Sequence, residues 1–128
     1  MDKNHKKIMV LGAAGRLGRQ VAQAFAAAGW EVLGQVRPGG AGRLPTGVRA
    51  VEADAMAHAT LAAAADGCSV VFHGLNPVYT DWEKAVLPLC KSAIAVARSA
   101  GATLLFPGNV YNFGTAMPQR LLPGTPVA

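Results

Sequence analysis

The chain is short of cysteine, of charge and of aromatic residues, and each shortage narrows what it can be. Two cysteines, Cys68 and Cys90, occur in 128 residues. They stand far apart, so a disulfide-stapled scaffold is excluded, and small buried hydrophobes in a reducing compartment are the expected role. Neither has ligand-type neighbours at metal spacing. Cys68 with His73 is too sparse a pair for zinc, and no metal is expected. Charged residues are 15% of the chain and apolar ones 52%, a balance that excludes a disordered, charge-extended segment. No apolar run reaches the length of a membrane span, so no membrane partner is expected. The basic start MDKNHKKIMV is not followed by the long apolar core and cleavage site of a signal peptide. A cytoplasmic location is therefore expected. The formal charge is +5, but the basic residues are scattered and no aromatics interleave with them. Nucleic acid is not an expected partner; a basic surface also suits phosphate-bearing small molecules.

What is present is concentrated between Ile8 and Arg37. The apolar run Ile8, Met9, Val10, Leu11 leads directly into Gly12, Gly15 and Gly18. A helical pattern follows, then Gly29, then a second apolar run ending at Arg37. Strand, glycine-rich turn, helix and strand in that order form a βαβ unit with a dinucleotide-binding fingerprint at its first turn. Gly12 lets the chain leave the strand sharply at positive φ. Gly15 lets a pyrophosphate approach the backbone, and Gly18 lets the helix press on the sheet. The helix opening near Gly15 or Arg16 presents unpaired N–H groups and a positive dipole end to an anion.

The rest of the chain repeats the alternation. Strands are expected at Lys6–Leu11, Trp30–Val36, Val48–Glu52, Ser69–His73 and Thr103–Phe106. Helices are expected at Arg16–Ala28, with Leu17, Val21, Ala24, Phe25 and Ala28 on the buried face, and at His58–Ala65. A long third helix, capped by Thr80 or Asp81, runs to Ala100 and stops at Gly101. Pro88 should kink that helix or shift its start. Pro38 to Gly47 reads as a loop. Such alternation demands right-handed crossovers and a parallel sheet, in the order 3-2-1-4-5 with helices on both faces. Ligands then sit outside the carboxyl ends of the strands, beside the switch point between strands 1 and 4.

The end of the second strand selects the dinucleotide. An acid there bonds a ribose 2′-OH, and a base suits a 2′-phosphate. This chain has Val36 and Arg37, with no acid before Glu52, and Arg16 lies inside the glycine turn. Two convergent arginines favour NADP(H) over NAD(H), with NAD as the alternative.

The glycine spacing and the text around it, from Lys7 to about Pro126, resemble the extended and atypical short-chain dehydrogenase/reductase superfamily. More narrowly they are similar to its NAD-dependent epimerase/dehydratase group. That resemblance implies a Rossmann-type fold and an oxidoreductase or epimerase/dehydratase acting on a sugar nucleotide or another small carbonyl or alcohol. It implies a coenzyme site built from Gly12, Ala14, Gly15, Arg16, Leu17, Gly18 and Arg37. Asp54, with Ala55 beside it, would meet the adenine amino group. Gly74 would pass the ribose, and Leu75, Asn76, Pro77 and Tyr79 would border the nicotinamide or substrate. His73 is expected to be a strand-end histidine. Tyr79 and Trp82 are as fit for packing as for substrate contact. Pro107, Gly108 and Asn109 stand where the family's catalytic Ser or Thr would precede a tyrosine, in the segment LLFPGNVYNFG, and Pro107 and Asn109 are expected to bind the coenzyme.

The family's Y-x-x-x-K pair is missing. Glu83 stands four residues after Tyr79, and Thr115 four after Tyr111. In the family the catalytic pair, a sixth strand and a substrate lobe follow this point. The expectation is therefore an incomplete dinucleotide-binding domain over residues 1–128, ending after strand 5 and inactive by itself. It would be either a piece of a longer protein or a short chain that kept only this half. Thr115–Ala128 reads like an interrupted connection, which favours the first. A non-catalytic NADP(H)-binding module or redox sensor is the competing expectation. An uncovered strand-5 edge would further favour a homodimer.

Overall fold

A computed structural model describes residues 6–77, 79–108 and 111–128. Five parallel strands form one sheet in the order β3-β2-β1-β4-β5. They are β1 (Lys7–Leu11), β2 (Glu31–Val36), β3 (Val48–Glu52), β4 (Val70–His73) and β5 (Thr103–Leu105). The helices are α1 (Arg16–Ala27), α2 (His58–Ala64) and α3 (Trp82–Ala100). The expected architecture is the observed one, with element ends within about two residues of the sequence reading.

The strand pattern explains the two layers. Side chains alternate across a strand, so β1 feeds both faces of the sheet. Ile8 and Val10 join Ala22 of α1, Val32 and Phe72 in one cluster. Met9 and Leu11 join Leu33, Leu61 of α2, Val71, and Ala93 and Val96 of α3 in the other. Central strands covered on both sides carry unbroken apolar runs for this reason. The register aligns Met9 with Leu33 of β2 and with Val71 of β4, which stacks the second cluster across three strands.

Helix α1 departs from the expected face. Gly18 and Ala22 are its buried residues, with Val21, Phe25 and Ala26 half-buried beside them. Leu17 is 50% exposed, and Ala24 and Ala28 are also exposed. Small residues line the contact because the helix lies close on the turn. A Cβ on Gly18 would overlap the Gly12 carbonyl and come within 2.8 Å of its carbon. Close approach, rather than apolar bulk, set the rotation of this helix.

Helix α3 keeps its expected ends. Asp81 takes the N-cap position and Gly101, at φ 64°, the left-handed C-cap. Pro88 is interior and does not shift the helix start. It has no N–H to offer the Lys84 carbonyl one turn earlier. Cys68 is buried and Cys90 half-buried, and both are free thiols. Burial pushes the Cys68 thiol up to about 11, with nearby Lys7 opposing the shift.

Candidate functional site

The carboxyl ends of β1, β2, β3 and β4 surround a cavity of about 840 Å³. Its floor is the glycine turn. Gly12, at φ 75°, takes a conformation that side chains resist, and an added Cβ would come within 2.7 Å of the Gly74 carbonyl oxygen. Gly74 in turn donates its N–H to the Leu11 carbonyl at 3.0 Å. The β1 and β4 loops therefore touch backbone to backbone at the switch point. Gly15 differs. It is exposed, and the nearest protein atom to its notional Cβ is the Gly12 carbonyl oxygen at 3.3 Å.

The turn's amides divide into used and available. Gly12 N–H donates to Gln35 Oε1 at 2.9 Å. Ala13 N–H donates to the Gln35 carbonyl at 3.1 Å, and Gly15 N–H to the Gly12 carbonyl at 3.1 Å. Arg16, Leu17 and Gly18 open α1, where N–H groups have no helical carbonyl before them. Gly15 caps this helix without a side-chain bond, and the first turn holds no acid. That end keeps its positive character.

The cavity brings together Gly12, Ala14, Gly15, Arg37, Asp54, Ala55, Gly74, Leu75 and Asn76 from the residues the sequence singled out, with Pro77 beside them. Arg16 lines a separate groove along α1 with Arg19, Gln20 and Gln23, joined to the cavity through Ala14 and Gly15. Leu17 points to solvent, and Gly18 lies buried beneath the turn. Pro107 is exposed and does not line the cavity. Asn109 lies outside the described residues, as do the side chains of Tyr79 and Tyr111. Trp82 is also exposed and away from the cavity wall.

Several lining residues escaped the sequence reading. Arg43 enters from a short 3₁₀ helix, Ala41–Arg43, inside the segment read as loop. Met56, Pro88 and Leu89 supply apolar wall, and Asp81 a second carboxylate beside Asp54. Gln35, nearly fully buried, joins the turn to the β3 loop: its Nε2 donates to the Ala53 carbonyl at 2.7 Å. Its signal was a lone amide among the apolar residues that follow Glu31 in β2. Asp54 shapes its own loop, its Oδ1 accepting Met56 N–H at 2.8 Å. Glu52 Oε1 accepts Gly39 N–H at 2.7 Å and holds the loop that carries Arg37.

His73 ends β4 behind the Gly74 wall. It is buried, stacks on Phe106 with centroids 5.0 Å apart, and its Nδ1 accepts Leu75 N–H at 3.3 Å. Burial lowers its pKa, so the neutral ring that this bond requires is the favoured form. Among the described residues no cluster of His, Cys, Asp or Glu could hold a metal. No described helix is long and apolar enough to cross a membrane.

A family model for NAD(P)H-binding proteins matches residues 12–121. The chain belongs to this NAD(P)H-binding family. It is an NAD(P)-binding domain, and the glycine turn lies at the start of the matched region. None of the curated proteins matches it. Among solved structures, a protein of Burkholderia pseudomallei described as exported is similar at 30% identity, TM-score 0.66, over 87% of this chain and 51% of its own. A nucleoside-diphosphate-sugar epimerase of Pseudomonas aeruginosa matches at 24% identity, TM-score 0.71, over 95% of this chain and 43% of its own. UDP-glucose 4-epimerase of Brucella ovis, in complex with NAD, matches at 16% identity, TM-score 0.79, over 96% and 42%. The last two likenesses speak to the fold. The NAD(P)H-binding chain spans about half the length of the structures it matches, or less.

Proposed function

We propose that this chain is the coenzyme-binding domain of an NADP(H)-dependent oxidoreductase or epimerase/dehydratase that acts on a sugar nucleotide or another small carbonyl or alcohol. The observation that carries the reading is the lining of the cavity. Arg37 and Arg43 line it together with the glycine turn, and the strand before them ends in Val36 rather than an acid. Arginine forks suit a 2′-phosphate, and an acid at that strand end would suit a ribose hydroxyl.

A dinucleotide fits the residues present. The cavity lies within the range of about 300–1,000 Å³ usual for small-molecule sites. The pyrophosphate would rest on the amides that open α1, over Gly15. A Cβ there would meet the Gly12 carbonyl oxygen at 3.3 Å, a tight contact, and would also stand between a ligand and those amides. Asp54 and Ala55, with Met56, Pro88 and Leu89, would flank the adenine. Gly74, Leu75, Asn76 and Pro77 would border the far ribose and nicotinamide. The coenzyme would carry the hydride; the chain's own residues seat and orient it. Pro107 and Asn109 would contact the coenzyme from the segment after β5.

Calorimetric titration tests this. NADPH is expected to bind more tightly than NADH. Arg37→Ala and Arg43→Ala should each weaken NADPH about tenfold while leaving NADH nearly unchanged. Tighter NADH binding overturns the NADP preference, and binding of neither coenzyme overturns the function.

The second reading is a non-catalytic dinucleotide-binding module. Glu83 and Thr115, standing where lysine would follow Tyr79 and Tyr111, favour it. NADPH oxidation by this chain with carbonyl substrates decides between the readings: turnover removes the second, and binding without turnover supports it. A cytoplasmic setting goes with either, since free thiols and nicotinamide coenzymes coexist there. A homodimer through the β5 edge is part of the proposal as well. Light scattering should return twice the chain mass, and a monomer at working concentration removes that part.

A further inference from the structure

Gln35 links two loops that share no backbone bond with each other among the described residues. β1 and β3 are not neighbours; each pairs with β2. β1 ends at Leu11 and β3 at Glu52, and beyond those ends the turn and the loop each keep one backbone bond to β2, Ala13 N–H to the Gln35 carbonyl at 3.1 Å and Ala53 N–H to the Val36 carbonyl at 3.0 Å, with no backbone bond from one to the other among the described residues. The Gln35 side chain spans that gap. Its carbonyl accepts Gly12 N–H at 2.9 Å and its amide donates to the Ala53 carbonyl at 2.7 Å. Both partners are backbone groups of fixed polarity, so the amide has one orientation that satisfies them. The side chain is 3% exposed, so water does not substitute for either bond.

Each loop also has its own internal bonds. The turn keeps Ala13 N–H on the Gln35 carbonyl and Gly15 N–H on the Gly12 carbonyl. The adenine-side loop keeps Met56 N–H on Asp54 Oδ1, and Ser92 of α3 donates its hydroxyl to the Ala55 carbonyl at 2.6 Å. What the Gln35 side chain adds to their separate backbone bonds to β2 is a direct tie between the two.

We propose that Gln35 is a positioning residue that sets the distance between the phosphate-binding turn and the adenine-binding loop, so that both halves of a dinucleotide meet one preformed surface. The inference rests on the coenzyme reading above. It goes beyond it in predicting that the two halves are coupled through one buried amide. A methionine at this position fills similar volume and makes neither bond. A glutamate keeps the acceptor for Gly12, but as a carboxylate it opposes the Ala53 carbonyl. Protonation would restore the donor. The other charged or titratable groups near the position are Arg37, Arg43, Asp54 and Asp81 on the cavity wall and His73 beyond Gly74. All are shared with the wild type, so ratios to wild type isolate residue 35.

The experiment measures dissociation constants of the folded chain for its preferred coenzyme and for a fragment without the pyrophosphate, adenosine 2′-monophosphate for NADPH or adenosine for NADH. Gln35→Met is expected to weaken the coenzyme about tenfold and the fragment less than about twofold. Gln35→Glu is expected to weaken the coenzyme about tenfold at pH 8 relative to wild type, and to recover most of that at pH 5.5. Equal losses for coenzyme and fragment in Gln35→Met, or unchanged coenzyme binding, overturn the inference. If Gln35→Glu does not fold at pH 8, the split in Gln35→Met decides alone. Coenzyme binding by wild type with no split in the variant sinks this inference only. No binding by wild type sinks the coenzyme reading and this inference with it.

Discussion

The β3-β2-β1 side of the sheet and the β4-β5 side differ in how firmly their loops are tied. On the first side every loop at the carboxyl end is held by a side chain reaching back to backbone. Gln35 holds the glycine turn and Ala53, Glu52 holds Gly39, and Asp54 holds Met56. Beyond β4 the holds among the described residues are fewer. Gly74 bonds to Leu11, and Leu75 leans on His73. β5 spans three residues, with Thr103 and Leu105 exposed on the α1 side, and Phe106 is 58% exposed. Preformed loops suit a ligand that is bound the same way each time. A loosely covered edge suits elements or partners that vary with the reaction.

The sharpest way to break this contrast is a glycine swap on each side. Gly18→Val drives a branched side chain into the Gly12 carbonyl. It should cost about 3 kcal/mol or more, or prevent folding, and abolish coenzyme binding. Gly108→Ala, with nothing within 4 Å of the added Cβ, should stay within about 0.5 kcal/mol. Urea titrations with equal slopes would check both, and similar costs at the two sites would erase the contrast.

A smaller effect comes from truncating one leucine on each side. Leu33 is fully buried on β2, and Leu33→Ala should lose about 2–5 kcal/mol. Leu105, 43% exposed, should lose less than about 1 kcal/mol on Leu105→Ala. A large loss at Leu105 in dilute solution would mean that the β5 edge is covered there.

The pH response sharpens the comparison further. Burial lowers the His73 pKa, so the unfolded chain takes up its proton first as pH falls. The contribution of His73 is full above its ordinary value of 6.5 and is lost as pH falls below it through the folded value. Melting temperature should drop between pH 7 and pH 5, and the drop should shrink in His73→Phe, which cannot titrate. An equal drop in both proteins would remove His73 as its source.

The least perturbing test is chemical. Cys68, buried and pushed up to about 11, should resist alkylation at pH 8, while the half-buried Cys90 reacts. Equal labelling rates would mean that the core around Cys68 opens readily.

Much of the site was legible because it is local. Gly12, Gly15 and Gly18 follow an apolar run, and Arg37 ends the next one, so strand, turn and helix could be read from spacing. Asp54 and Gly74 were placed by resemblance at strand ends, and both line the cavity. What escaped depends on residues distant in the chain. Gln35 gains its role from Gly12 and Ala53, 23 and 18 residues away. Arg43 reaches the cavity because the loop after β2 coils into a 3₁₀ turn. Leu17 was expected in the core by periodicity, yet a close helix-to-turn contact gave that face to Gly18 and Ala22.

By itself the sequence determined the order of strands and helices, the parallel sheet and the turn that can receive a phosphate. Those follow from period, glycine placement and the handedness of crossovers, which act over a few residues at a time. Only the tertiary structure decided which amides of that turn are already taken, which arginines line the cavity, and which side chain ties the turn to the β3 loop. These are matters of distance between chain-remote atoms, and hydrogen bonding falls away within a fraction of an ångström of its best separation.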